Sequence, residues 1–310
     1  MYCSPSGDND RISCLKIDHL RNIGHELVRL GYPISDTFVD KCQSKQELFN
    51  ELAKYINKET KCQDELCWTS TDLVKKKIRN VNELFVPIMP DSWRQKPEEW
   101  LNTMDIDSVM EQYSKANSDF HFAGTVPIDF DLKSKDGYCE VSDICQISIP
   151  QLYKKGVRKI GFVFNTDPSS KSGEHWISTF IDLGGIRTQE LLGGAKKRRK
   201  TKRKSRQRNK VKGTKDKVYG MYFFDSTSNP PPKQIEALHK RLNKQCKKIN
   251  KKLDFFENDI QHQFGNNECG VYCLYFLSNM IKNRNFFNII EDIKKDKEMH
   301  EFRKVFYRPR

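Results

Sequence analysis

Cys269 follows Gln263 by six residues, in the stretch Gln263-Phe264-Gly265-Asn266-Asn267-Glu268-Cys269-Gly270, and opens a strongly apolar run. A cysteine attacks as its thiolate, so a nucleophilic cysteine needs surroundings that favour a negative sulfur. The first turn of a helix supplies unpaired N–H groups and the positive end of a dipole, with Asn266 or Asn267 expected as the cap. Gln263 is neutral and can donate an amide N–H to a forming oxyanion without competing as a base. Gly270 is expected to leave room for a substrate backbone and for backbone N–H donors. A lone cysteine in an apolar helix is ordinarily a small buried residue, which is how Cys273, one turn on, is read. The amide upstream, the neighbouring glycines and the helix start favour catalysis for Cys269.

Such a thiol needs a base. Of seven histidines, His19 and His25 lie in an N-terminal helical region, His239 on a solvated helix, and His121 and His300 read as surface residues. His262 adjoins Gln263 and, on extended chain, points to the opposite face. His175 stands at the mouth of a strand after Ser169-Ser170-Lys171-Ser172-Gly173, on the kind of loop where reactive groups gather. Asp225, ending another strand pattern, is the residue expected to orient it. Of the 50 residues separating the two, 34 belong to an insert, and the remaining 16 suit strand, turn and strand. Asp182 lies seven residues along the strand, too far at ~3.3 Å per residue, and reads as a strand-end residue.

The elements that must position these groups follow from apolar spacing. Residues 1–88 read as helical, with Leu20, Ile23, Leu27 and Leu48, Leu52, Ile56 at three- and four-residue intervals. Pro87, Pro90 and Pro97 end that pattern, placing a boundary near 88 between a helical arm (1–88) and a second domain (89–310). There Glu99-Trp100-Leu101-Asn102 leads a helix through Tyr113. Runs at 159–164, 175–181, 219–224 and 253–260 read as strands, and 234–248 as a helix. Residues 269–281 are apolar nearly all round, the mark of a buried central helix. The fold class is α+β, a mixed sheet around that helix preceded by a helical arm.

The charge of +14 is concentrated in one place. Residues 196–217 hold 14 Lys/Arg against one Asp, so the rest of the chain is near neutral. The insert at 184–217 that contains this segment has too little apolar surface for a core and is expected to be disordered. Its charge would bind nucleic acid without sequence preference, act as a nuclear-import signal, or simply be solvated. No apolar run approaches the ~20 residues of a membrane span. The N-terminus lacks a secretory layout, so the ten cysteines are expected to be reduced. Cys62 and Cys67 have no matching Cys/His pair for zinc, and no metal or organic cofactor is expected.

His175-Trp176, Phe224-Asp225-Ser226, Gln263 and Asn267-Glu268-Cys269-Gly270-Val271-Tyr272 together resemble the adenain-like cysteine proteases of clan CE, the group that includes the SUMO-specific proteases. The likeness covers about residues 89–310. It implies an adenain-like core, a Cys269-His175-Asp225 triad, and Trp100 and Trp176 as walls of a tunnel admitting a Gly-Gly tail. An acidic residue of the family after Trp-Leu-Asn is replaced by Thr103. Within the family, the look is of the polyprotein-processing proteases of large DNA viruses such as African swine fever virus. That implies cleavage of structural precursors after Gly-Gly during virion maturation, in host cytoplasm (virus factory) and virion, with the nucleus a further site. An isopeptidase removing ubiquitin-like modifiers, and a nucleic-acid-binding protein on an inactive protease fold, are the rival readings. Leu183-Gly184-Gly185 and Leu192-Gly193-Gly194 read as hinges or as self-cleavage sites, with autocleavage after Gly194.

Overall fold

The computed structural model of the chain describes residues 2–7, 12–193 and 217–309. It divides into two compact units, Met1–Met89 with Lys304–Arg310, and Pro90–Arg303.

In the first unit, α1 (Ile17–Arg29), α2 (Asp36–Lys41), α3 (Lys45–Thr60), α4 (Glu65–Ser70) and α5 (Asp72–Lys75) follow one another. Ser35, Ser44, Asp64 and Thr71 cap the last four, each side-chain oxygen accepting an N–H that the helix leaves unpaired. The apolar residues read from the sequence, Leu20, Ile23 and Leu27 of α1 and Leu48, Leu52 and Ile56 of α3, bury together with Trp68 and Val39. Gly24 lets α1 lie close to α2, since a Cβ there would stand 2.8 Å from Val39 Cγ1.

The second unit is built on five strands in the order β1 to β5: Phe120–Pro127, Lys159–Asn165, Trp176–Arg187, Lys217–Phe224 and Leu253–Glu257. The outer pairs β1–β2 and β4–β5 are parallel, and β2–β3 and β3–β4 are antiparallel. The helices are α6 (Thr103–Ala116), α7 (Ile149–Lys154), α8 (Thr188–Gly193), α9 (Lys233–Cys246), α10 (Cys269–Ile281), α11 (Phe286–Glu291) and α12 (Asp296–Phe306). Strand alternation gives the sheet two apolar faces. Met221 and Phe223 of β4 join Ile235, Leu238 and Leu242 of α9 on one. On the other, Phe224 stacks on Phe276 of α10 at 4.9 Å and Tyr222 meets Phe286 of α11 at 5.1 Å. All of α10 but Asn279 is buried, as its composition requires. Among the described residues no helix is long and apolar enough to cross a membrane.

Three expectations change. Residues 184–193 carry regular structure where the insert was to begin. The Asp182 carboxylate accepts the N–H groups of Gly184 (2.7 Å) and Gly185 (3.0 Å), so β3 bulges and continues to Arg187. Beyond it α8 anchors through buried Leu191. Gly184-Gly185 is thus inside a strand, while Gly194 and all of the basic segment except Lys217 lie outside the described residues. Six cysteines are paired rather than reduced, as Cys3–Cys14, Cys62–Cys67 and Cys139–Cys145, each joining positions already near in the chain. Strand β1 was not foreseen; it is half-buried along most of its length, and Gly124 at φ +120° breaks its alternation.

Phe223 is buried between the sheet and α9. Its replacement by Ala is predicted to destabilise the second unit by about 3–5 kcal/mol. Urea unfolding followed by tryptophan fluorescence reads this, and an unchanged midpoint would contradict the packing described.

Candidate active site

The ends of β2 and β4 and the beginnings of β3 and α10 meet at one end of the sheet's inner strands. Asn165, the last residue of β2, pairs with Trp176, the first of β3. Its Oδ1 accepts the N–H groups of Asp167 (2.9 Å) and Glu174 (3.1 Å), and Thr166 N–H donates to the His175 carbonyl at 2.8 Å. The loop before His175 is therefore fixed at both ends. Gly173, at φ +95°, passes so near Asn165 that a Cβ would stand 2.6 Å from its Nδ2.

Ser178 of β3 stands opposite Phe224 of β4, which brings Asp225 alongside the start of β3. Asp225 Oδ1 lies 2.8 Å from His175 Nε2 and also accepts from Thr227 N–H (2.8 Å) and Oγ1 (2.7 Å). Asn258 brackets the Asp225 backbone, accepting its N–H and donating to its carbonyl. The Cys269 sulfur lies near enough to the same imidazole to favour its charged form. Burial opposes the imidazolium, but the Asp225 carboxylate and the Cys269 sulfur outweigh it and raise the His175 pKa to about 10. The ring is thereby held as a cation beside the sulfur.

Cys269 is the first residue of α10 and is only 1% exposed. Neither asparagine caps this helix. The cap residue is Glu268, whose carboxylate turns away to His300 (3.0 Å) and Arg303 (2.8 Å), so no side chain claims the first-turn N–H groups. Asn267 instead accepts from Trp100 Nε1 (3.2 Å) and donates to Glu98 (2.9 Å). His300, read as a bare surface residue, is thus a partner of the residue before Cys269. Cys273 is buried, and burial pushes its thiol well up, which suits an inert core cysteine.

Gln263 is buried, and both ends of its amide are oriented. Ser226 Oγ donates to its Oε1 at 2.6 Å, and its Nε2 donates to the Gly265 carbonyl at 2.8 Å. One N–H of that NH2 remains to be used. His262 points elsewhere, its Nε2 meeting the Ile290 carbonyl at 3.0 Å. Asp182, expected at a strand end, stands midway along β3 because the strand bulges there and continues to Arg187.

Two cavities adjoin these groups. One, of about 590 Å³, is lined by His175, Asp225, Gln263 and Trp100. The other, of about 490 Å³, is lined by Trp100, Trp176, Val126 and the 167–173 loop. Trp100 is shared between them and is 39% exposed, while Trp176 is buried and donates to the Leu101 carbonyl at 2.8 Å. Gly270 does not open onto either. A Cβ there would meet Leu101 at 2.9 Å and Trp176 at 3.3 Å, so its small size serves close packing of α10 against the two tryptophan-bearing segments. Among the described residues the one cluster of metal-ligand type is Cys3, Cys14 and Glu65 in the first unit, with its two cysteines joined to each other.

No family profile matches the chain. It is 24% identical over 247 residues to a protein of Acanthamoeba polyphaga mimivirus provisionally named as a thiol protease, a match covering 79% of this chain and 69% of that one. It is 24% identical over 156 residues to the SUMO-1 cysteine protease of African swine fever virus, covering 50% of this chain and 46% of that protein. The chain thus spans about half the length of the African swine fever virus relatives it matches. Its fold is that of a crystal structure of the ASFV protease, with a TM-score of 0.59 and 19% identity over 99% of this chain and 97% of that one. The chain is a homologue of thiol proteases of large DNA viruses, on an α+β protease fold.

A raised folded-state pKa stabilises the fold below the ordinary value of 6.5 and loses that contribution as pH rises through about 10. In an NMR titration His175 is therefore predicted to stay protonated between about pH 6 and 8. Asp225→Asn should lower its midpoint by at least about one unit. A wild-type midpoint near 6.5 would refute the coupling.

Proposed function

We propose that this homologue of viral thiol proteases is itself a thiol endopeptidase that cuts structural precursor proteins after Gly-Gly during virion maturation. The observation that carries the reading is one imidazole 2.8 Å from a buried carboxylate, in the neighbourhood of a sulfur at a helix N-terminus. In the proposed reaction the Cys269 sulfur adds to the scissile carbonyl carbon and the C=O electrons move onto oxygen. Gln263 Nε2 and the free N–H groups of the first α10 turn receive that oxyanion. His175 gives its proton to the leaving amine as the C–N bond breaks, leaving a thioester. Water then loses a proton to His175, adds to the thioester carbon, and the C–S bond breaks to release the carboxylic acid. Asp225 fixes the ring throughout. No metal or organic cofactor is needed.

A chain crossing from one cavity to the other passes Trp100, with Trp176 behind it, beside His175, Asp225 and Gln263. Residues without side chains suit that passage, which is the support for glycine at the scissile position. Isopeptidase action on a ubiquitin-like tail uses the same chemistry, and the SUMO-1 name of the African swine fever virus relative favours testing it. The proposal places the enzyme in host cytoplasm and in the virion. The basic 196–217 segment adds affinity for nucleic acid, with a nuclear-import signal the alternative reading of its charge.

Incubation with Gly-Gly-X peptides beside a panel of ubiquitin-like fusions separates the two substrate classes. Cys269→Ala is predicted to lower kcat by ~10⁴-fold or more in either case. A Gly-Gly vinyl sulfone should label Cys269 alone, as read by peptide mapping. Labelling elsewhere, or full activity without Cys269, would remove the mechanism.

A further inference from the structure

Asp296 begins α12, where an acidic side chain is favoured by the helix N-terminus. Its carboxylate spans two elements. Oδ2 accepts the backbone N–H groups of Phe264 (3.0 Å) and Gly265 (2.8 Å), and Oδ1 lies 3.1 Å from the Tyr272 hydroxyl, whose one proton also has the carbonyls of Lys294 (2.8 Å) and His262 (3.2 Å) within reach. The first two belong to the loop of Gln263. The third belongs to α10, three residues after Cys269. The Gly265 carbonyl in turn receives Gln263 Nε2, so the residue that Asp296 grips by its N–H aims the amide through its carbonyl. His300 and Arg303 continue the same face of α12, at four and seven residues from Asp296, and hold Glu268 and the Asn267 carbonyl. One helix face thus holds the stretch from Phe264 to Glu268 nearly end to end.

We infer that Asp296 is the positioning residue of the oxyanion pocket, the single carboxylate that sets the distance between the Gln263 donor and the Cys269 nucleophile. It touches no reacting atom and acts through Gly265 and Tyr272. The inference rests on the thiol-protease reading above. An oxyanion donor displaced from its place loses transition-state stabilisation while ground-state binding persists. Removal of Asp296 should therefore lower kcat and spare KM.

The test uses the full chain and a Gly-Gly-X peptide. Asp296→Ala should lower kcat by roughly 10²-fold, with KM within about threefold of wild type. Asp296→Asn keeps an acceptor for the two N–H groups and should recover kcat to within about fivefold of wild type. Combining Asp296→Ala with Gln263→Ala should cost no more than Gln263→Ala alone, because both act through one donor. Tyr272→Phe leaves the Asp296 contacts to Phe264 and Gly265 in place, removes the hydroxyl's contact with the His262 carbonyl, and should fall between wild type and Asp296→Ala. Amide hydrogen exchange at Phe264 and Gly265 should rise in Asp296→Ala and stay low in Asp296→Asn. Multiplicative losses in the double variant, a change confined to KM, or no recovery in a folded Asp296→Asn would overturn the assignment while Gln263→Ala remains impaired. A wild type that cleaves no faster than Cys269→Ala would overturn the protease reading itself, and this assignment with it.

Discussion

An imidazolium in a half-buried site needs compensating partners on hand, and the rest of the second unit is arranged around supplying them. His175 has the Asp225 carboxylate on one side and the Cys269 sulfur on the other. Taken singly, each group would be penalised by burial. Together they compensate one another, provided the spacing holds to a fraction of an ångström. The antiparallel β3–β4 register meets this for the acid and the base, and the packing of α10 on the same sheet face meets it for the sulfur. A sheet with buried aromatic side chains on both faces deforms little, which is why the spacing can be trusted to persist.

Most of the polar residues around the centre are engaged in holding backbone. Asn165, Asn258, Ser226 and Asp296 each satisfy main-chain or amide groups in loops that would otherwise be free to rearrange. Loops carry the reactive groups because they can present them at an edge, and they need such fastening because they have no ladder of their own. The exposed indole of Trp100 is fastened in the same way through Asn267.

Much of this was legible in the amino-acid order. The alternating aromatic and β-branched runs marked β2, β3, β4 and β5, and the all-round apolar composition of 269–281 marked α10 as central. The meeting of His175 with Asp225 followed from the residues left between them once the charged insert is set aside. What escaped was set by contacts between distant segments. Asp296 lies in a polar helix whose face toward the Gln263 loop has no apolar period to betray it. Glu268 reads as one more surface acid until His300 and Arg303 are seen beside it. Asn266 and Asn267 are the residue types that cap helices, yet tertiary partners claimed Asn267 and the cap passed to Glu268. Disulfide pairing depends on loop closure, which spacing in an open chain does not specify.

The bulge at Gly184-Gly185 and the strand that runs on past it have a consequence for how this protein can change. Arg187 of β3 stands opposite Lys217 of β4, at the end of the hairpin remote from the chemistry, separated from His175 by about 40 Å of strand. A flexible connection grafted at such a point adds a closure cost that grows only with the logarithm of its length. New cargo, tethers or addresses can be grafted at that seam, generation after generation, with the hydrolytic machinery none the wiser.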